Sequence, residues 1–417
     1  MKYIHLLLWL FTSISYSQSL TIDKTAFLGT KRLDKSFLEK LIYSKSGVVL
    51  DSIQLNNDVQ ILNRLNGVSK AEFSVIKKAG NLVDINFIIS ENITLIPNAS
   101  VWTTDEIGSY RIGIYESNFL GKNNGIGGFY QYNGFHSYGL NFRSPQFFSP
   151  KYGIEINLQK LISKEPVYFS NQAANYQYTN SSAEMIGNYR INIKNEIRVG
   201  IAFLNEKYNY LDGATSSSIP QFLAIDKKLL KLEYRFDNVT YDYYLAKGFR
   251  SNLYTQLVIS ENEFQDKFVI GWNDFLFYKR VGKSGNWASR LRLGLSTNNE
   301  SPFAPFSVDN NVNLRGVGYI IDRGTGSVVF NTEFRKTLFE KKWFVLQGNA
   351  FVDSGTWRLP GGDFSDFVAA KNIRIYPGLG LRFIHKSIFN AVFRFDYGYG
   401  ITENASKGFV FGIGQYF

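Results

Sequence analysis

The chain has no cysteine. That excludes disulfides, thiolate metal sites and a lipidated N-terminal cysteine. Proline is scarce, at 9 of 417 residues, and no segment reaches 18 unbroken apolar residues. No helix is therefore expected to span a membrane. Only three histidines are present: His5 in the N-terminal leader, and His136 and His385 isolated on candidate strands. They form no site together. Neither a Gly-x-Ser-x-Gly nucleophile turn nor a phosphate loop occurs, so no enzyme activity, cofactor or metal is expected. Acidic residues number 35 against 46 Lys and Arg, a net charge of +11. Such a balance suits nucleic acid, anionic lipid or acidic partners. The basic residues are scattered among strands and turns instead of clustering with stacking aromatics, so nucleic acid is not an expected partner.

What the sequence does hold is 26 Tyr, 36 Phe, 6 Trp and 36 Gly, which points to an all-β body. Mean hydropathy is slightly negative. Transmembrane barrels hide in such numbers, because lipid-facing and lumen-facing residues alternate and cancel. Lys2, the apolar run Ile4 to Phe11 and the small residues of Ser15-Tyr16-Ser17 predict a secretory signal peptide over 1–17, cut before Gln18.

Residues 18–95 read as a small α+β unit. A short strand at Leu20–Leu28 precedes a helix capped by Asp34 with Phe37, Leu38, Leu41 and Ile42 on one face, broken at Gly47. A second helix carries Leu55, Val59, Leu62 and Leu65, with Gly67 past its end, and two strands follow at 71–75 and 82–89. Residues 96–105 read as a linker. From Ile107 the pattern turns to period two and helical signals stop. Sixteen strands are predicted over 106–417, at about 106–116, 124–134, 136–144, 151–162, 165–178, 182–191, 195–209, 223–237, 246–260, 264–278, 287–297, 324–336, 341–356, 371–385, 388–400 and 406–417. The clearest is Phe389–Tyr399, with Phe389, Ala391, Phe393, Phe395, Tyr397 and Tyr399 on one face and Asn390, Arg394, Asp396 and Gly398 on the other. Charges facing lipid are destabilising, so the second face must look into an aqueous or protein-filled lumen. The fold class expected is a transmembrane β-barrel preceded by one small periplasmic domain.

Parity places further polar groups in that lumen. Asn331, Glu333 and Arg335 share a face opposite Val328, Phe330 and Phe334; Gln347, Asn349 and Asp353 share a face opposite Leu346, Ala350 and Val352. Between the predicted strands at 287–297 and 324–336, a long loop carries Asn313-Leu314-Arg315-Gly316-Val317-Gly318-Tyr319. An arginine entering from that loop can pair with both carboxylates, which suits a guanidinium better than an ammonium. On parity alone, incidental lumenal charges explain the pattern equally well.

Several stretches together resemble the BamA/TamA family of outer-membrane assembly and translocation proteins. The N-terminal unit resembles a single POTRA domain through Gly47, Asp58, Leu62, Leu65, Gly67-Val68 and Glu91. Taken alone, it fits a spacer or lid as well as a client-binding domain. Asn118-Phe119-Leu120-Gly121 with Gly125, Gly127 and Gly128 resembles the first barrel hairpin, and Arg143 to Phe148 the end of the third strand. Leu314-Arg315-Gly316 resembles the signature of the inward-folded loop, with the aromatic Tyr319 displaced by two positions. Asn331-Thr332-Glu333 and Phe351 to Gly355 resemble the acidic positions of the next two strands. Gly414 to Phe417 resembles the closing strand and assembly signal. The resemblance implies a structural cluster of Arg315, Gly316, Glu333 and Asp353, and a weak seam between a first strand at about Glu106–Glu116 and a last strand Gly408–Phe417 carrying Phe411, Gly412, Gly414 and Phe417. It implies an outer-membrane location, contact with outer-membrane lipid, and an unfolded client polypeptide with periplasmic or outer-membrane accessory proteins as partners. The function implied is protein insertion or polypeptide translocation. A secretion pore for one dedicated partner, and a plugged barrel that anchors a periplasmic or surface complex, remain as alternatives.

Overall fold

The computed structural model describes residues 19–417 apart from 105–106, 170–171, 243, 261–265, 302–303, 309–312, 318–321, 389–390 and 404. The leader and the Gly318-Tyr319 pair lie outside the described residues.

The N-terminal module runs β1 (Thr21–Leu28), α1 (Lys35–Leu41), α2 (Ser52–Asn63), β2 (Val68–Lys77) and β3 (Leu82–Glu91). Its sheet has the order β1-β3-β2, with β1 parallel and β2 antiparallel to β3. Asp34 caps α1 by accepting from the Phe37 amide at 2.9 Å, and Asp51 caps α2 through the Ile53 amide at 2.8 Å. The apolar faces of both helices close on β1 and β3 around Leu38, Leu62, Ile85 and Phe87. Asp58, fully buried, accepts from the Tyr43 and Ser44 amides at 3.0 and 2.9 Å and ties the end of α1 to α2. Glu91 accepts from the amides of Lys31, Arg32 and Leu33. Both carboxylates replace water at backbone donors that no helix or strand satisfies.

The remainder is an antiparallel closed barrel of sixteen long strands. They begin with β4 (Leu95–Thr104), β5 (Ile107–Phe119), β6 (Asn124–Tyr132), β7 (His136–Ser149), β8 (Tyr152–Phe169), β9 (Gln172–Arg190), β10 (Asn195–Gly213) and β11 (Phe222–Asp237). A short β12 (Thr240–Asp242) leads into β13 (Leu245–Ser260), β14 (Phe268–Val281) and β15 (Gly285–Ser296). Two short strands, β16 (Phe306–Val308) and β17 (Asp322–Gly324), pair with each other. The wall resumes with β18 (Gly326–Glu340), β19 (Phe344–Arg358), β20 (Ile373–His385), β21 (Val392–Tyr399) and β22 (Lys407–Ile413), which closes against β4.

Three expectations change here. Residues 96–105 are not a linker: Leu95–Thr104 is the first wall strand, paired with β5 from Leu95↔Glu116 to Thr104↔Ile107. Its Pro97, Asn98 and Ser100 read as connector, yet a strand beside a barrel's closing edge tolerates a proline that lacks a donor. The segment 106–116 is therefore the second strand, not the first. Conversely, the three strands predicted at 151–162, 165–178 and 182–191 are two, β8 and β9, each 18 or 19 residues long. One missed strand and one extra strand cancel in the count. Two short 3-10 turns at Phe364–Val368 and Ala370–Asn372 also interrupt the all-β body.

The wall is uneven in height. Facing lipid, β10 presents Ile197, Val199, Ile201 and Phe203, then Asn205, Lys207 and Asn209; β9 likewise presents Ser181, Thr179, Gln177 and Asn175 above Met185 and Ala183. These strands leave the membrane and continue into water. Above that level their inner face is apolar, with Phe169, Tyr176, Tyr208, Ile219 and Ile225 packed together. The closing strand, by contrast, has seven residues and its neighbour eight.

Candidate functional site

The connection between β15 and β18 folds back into the lumen. Its β16–β17 hairpin places Val308, Leu314 and Val317 against Val329, Trp357 and Tyr376 of the wall. Asn313 fixes the descending strand: its Nδ2 donates to the Ser307 carbonyl at 2.6 Å, and its own carbonyl accepts from Asn331 Nδ2 at 2.7 Å. Arg292 reaches Asn313 Oδ1 at 3.2 Å while held by two 2.7 Å bonds to Asp274. The far end of the hairpin is tied across the mouth, where Arg323 pairs with Glu165 of β8.

Arg315 follows, fully buried. Its Nε and Nη2 donate to Asp353 Oδ2 and Oδ1 at 2.8 and 2.9 Å, its amide donates to the same carboxylate at 3.0 Å, and Nη1 donates to Glu333 Oε2 at 2.6 Å. The guanidinium also stacks on the Phe351 ring at 3.6 Å and the Tyr416 ring at 4.3 Å. Gly316 has φ of 104°, and a Cβ there would stand 2.8 Å from the Gly398 carbonyl oxygen. Gly398 leaves the matching space for Arg315's own carbonyl. Two glycines thus let the loop backbone lie directly on β21. Ser406 completes the anchor by donating toward the Gly316 and Val317 carbonyls.

The four loop-cluster residues expected from the sequence are therefore brought together. The cluster is larger than expected. Asp396 on β21 lies 3.6 Å from Arg315 and accepts from Arg382 at 3.0 Å and Asn349 at 3.2 Å. Arg382 also grips both Glu333 oxygens at 3.0 and 2.9 Å, Arg335 donates to Glu333, and Arg394 reaches Asp396 at 3.4 Å. Arg382 and Arg394 stand directly opposite each other on β20 and β21. Like charges so placed repel; Glu333 and Asp396 between them make the pair tolerable. Parity put Arg394 and Asp396 in the lumen, but nothing in sequence spacing joins them to Arg315, because that contact crosses the barrel's interior.

The closing-strand residues divide. Phe411 faces lipid. Gly412 faces the lumen, where a Cβ would stand 3.1 Å from the Arg394 guanidinium carbon, so its missing side chain makes room for that arginine. The strand ends at Ile413, not at Phe417. Gly414, with φ of 94°, turns the chain inward. Gln415 then accepts from Arg382 at 3.2 Å, Tyr416 lies beside Arg315 and Arg394, and Phe417 packs by Val239, Ala246, Leu276, Tyr278 and Ala288. Phe417 therefore does not share the lipid face of Phe409 and Phe411. A left-handed glycine, invisible to an alternation pattern, redirects it.

The N-terminal module docks on the β5–β6 turn. The Asp34 amide donates to the Gly121 carbonyl at 3.1 Å, the Asn66 amide to Asn123 Oδ1 at 3.0 Å, and Asn66 Nδ2 to the Ser117 carbonyl at 3.3 Å. On the opposite flank of the lumen from the loop cluster, a polar cavity of about 430 Å³ is lined by Arg111, Asn141, Asn157, Asn180, Glu184 and Lys231 among others.

A membrane-spanning barrel with a lumenal loop locked to its last strands, and a small module docked under its β5–β6 turn, is the class that fold and site define. No protein-family model matches the chain. Among solved structures it is similar to BamA from Haemophilus ducreyi lacking POTRA domains 1–3, at 17% identity and TM-score 0.57, over 95% of this chain and 84% of that one. It is similar to CdiB from Acinetobacter baumannii (14%, TM-score 0.61, 95% and 73%) and CdiB from Escherichia coli (10%, TM-score 0.63, 95% and 76%). The chain has the fold of these barrels.

Proposed function

We propose that the protein is an outer-membrane barrel of the BamA/TamA kind, which inserts or translocates client polypeptides through an openable seam between β4 and β22, with the POTRA-like module facing the periplasm. The observation that carries this reading is the shortness of the closing strand. At about 2.4 Å of membrane height per tilted residue, seven residues cover roughly 17 Å, below the ~25 Å apolar band of such barrels. A strand that short cannot pair the whole of the ten-residue β4, and backbone groups left unpaired at the seam have no water to turn to. An incoming strand that restores those bonds is then stabilised at the seam. The N-terminal module presents the same chemistry to a client, because β2 is an edge strand of its sheet. The inward loop fixes β18, β19 and β21 to one another, so the wall beside the seam stays rigid while β22 moves. BamA and CdiB neighbours support insertion or translocation at the level of the family.

The test uses the purified chain in liposomes. A urea-unfolded barrel client should become protease-protected and heat-modifiable faster than in protein-free liposomes. An unchanged rate contradicts insertion. The polar cavity between β5 and β11 favours one second reading, a passage through the lumen for a dedicated partner; peptide appearing inside the liposomes, with no client left in the bilayer, would distinguish it.

A further inference from the structure

The outer wall carries an apolar groove that neither the loop nor the seam accounts for. On β19, Gly348 and Ala350 occupy successive lipid-facing positions. The register sets Lys336 and Leu381 on either side of Gly348, and Phe334 and Leu379 on either side of Ala350. A missing side chain and a lone methyl between two rows of larger groups leave a groove of about 560 Å³, bordered toward the closing strand by Tyr397 and Phe409.

One wall of this groove is charged. Lys336 is exposed on the lipid face and makes no ion pair among the described residues. A lysine facing lipid is destabilising unless its ammonium reaches headgroup level or meets an anion. Headgroup level is close. Leu338 is the next lipid-facing residue, and β18 ends at Glu340. The following turn holds Trp343, half exposed, packed on Phe344 at 4.3 Å and near Phe383 and His385. Such an aromatic group marks the membrane–water interface. Lys341 and Lys342 share the turn, whereas Lys386 is occupied by Glu340. The groove therefore runs from apolar wall to a cationic rim.

We propose that this groove binds one anionic phospholipid, with an acyl chain along Gly348 and Ala350 and the phosphate at Lys336. A lipid held there lines the wall beside β22, independently of whether the seam opens. Lysines near a surface favour anionic headgroups, and filling a groove with an acyl chain removes apolar surface that bulk lipid covers less completely.

The test is native mass spectrometry of the purified full chain in mild detergent with equimolar phosphatidylglycerol and phosphatidylcholine of the same chains. Retention of one phosphatidylglycerol, preferred about tenfold, is the expected result. Lys336→Gln should abolish the preference. Gly348→Leu should reduce retention of both lipids; its nearest neighbour is the Leu338 side chain at 3.3 Å, which can swing aside. Ala350→Leu serves if that variant does not reach the folded, heat-modifiable form. Equal retention of the two lipids by the unaltered protein, or a Lys336→Gln variant that keeps its preference, would overturn the proposal.

Discussion

Arg315 concentrates the energetics of the lumen in one side chain. It is buried with two carboxylates that take four of its donors. Removing one partner of such a pair costs about 3–5 kcal/mol, because the other charge is left buried. Asp353 is the more dependent partner: among the described residues its hydrogen bonds come from Arg315, whereas Glu333 keeps Arg335 and Arg382. Arg315→Ala should therefore release the 297–325 loop to limited proteolysis and lower the denaturation midpoint, with Arg315→Lys recovering only part, since an ammonium cannot span both carboxylates. Asp353→Asn paired with Arg315→Ala should be less harmful than Arg315→Ala alone. Gly316→Ala tests packing without touching charge: the added carbon meets the Gly398 carbonyl, so the same loop release is expected. Loop protection unchanged in both Arg315→Ala and Gly316→Ala would contradict the anchoring role. Glu333 and Asp353 were legible as lumenal because period-two alternation fixes which face a strand residue takes; their meeting with Arg315, which sits on a loop, rested on the resemblance of Leu314-Arg315-Gly316 and not on alternation. Asp396 and Arg394 were legible only as lumenal and Arg382 was not singled out at all, since their place in the cluster around Arg315 depends on how far the wall curves.

Among the elements, the interface between the N-terminal module and the β5–β6 turn is held mainly by backbone groups. Gly121, at φ of 72°, would bring a Cβ 2.8 Å from the Asp34 amide nitrogen and against the Arg32 carbonyl. Gly121→Ala should separate the module from the barrel while leaving both folded. Hydrogen exchange should then rise at Asp34, Asn66 and Asn123 and stay unchanged in the core around Ile85 and Phe87. Exchange rising through that core instead would mean that the module depends on the barrel to fold. The order strand, helix, helix, strand, strand was readable from Asp34, Gly47 and Gly67, because caps and breakers are local. The first wall strand was not, as Pro97 and its polar neighbours imitate a connector. Nor were the long β8 and β9: Ser163-Lys164-Glu165-Pro166 and Asn180-Ser181-Ser182 look like turns when they are strand residues standing in water above the membrane.

For the whole molecule, tall strands stand on one side and the closing edge is short on the other. At about 2.4 Å per tilted residue, β9 and β10 rise roughly 45 Å against roughly 17 Å for β22. The lumenal cluster braces β18 through β21, and the chain after Gly414 tucks Tyr416 and Phe417 beneath it. Opening at β4–β22 therefore has to release only a seven-residue strand from β4 and a short inward tail. The absence of cysteine makes a direct measurement possible. One cysteine replaces lipid-facing Ala99 in β4, and a second replaces Phe409, Phe411 or Ile413 in β22 in turn, to find the register that cross-links. Client insertion into liposomes is compared for the oxidised and reduced forms of that pair. Insertion lost on oxidation and restored by reductant is the expected result. Full insertion by a quantitatively cross-linked barrel would contradict the lateral seam and leave the lumen as the route.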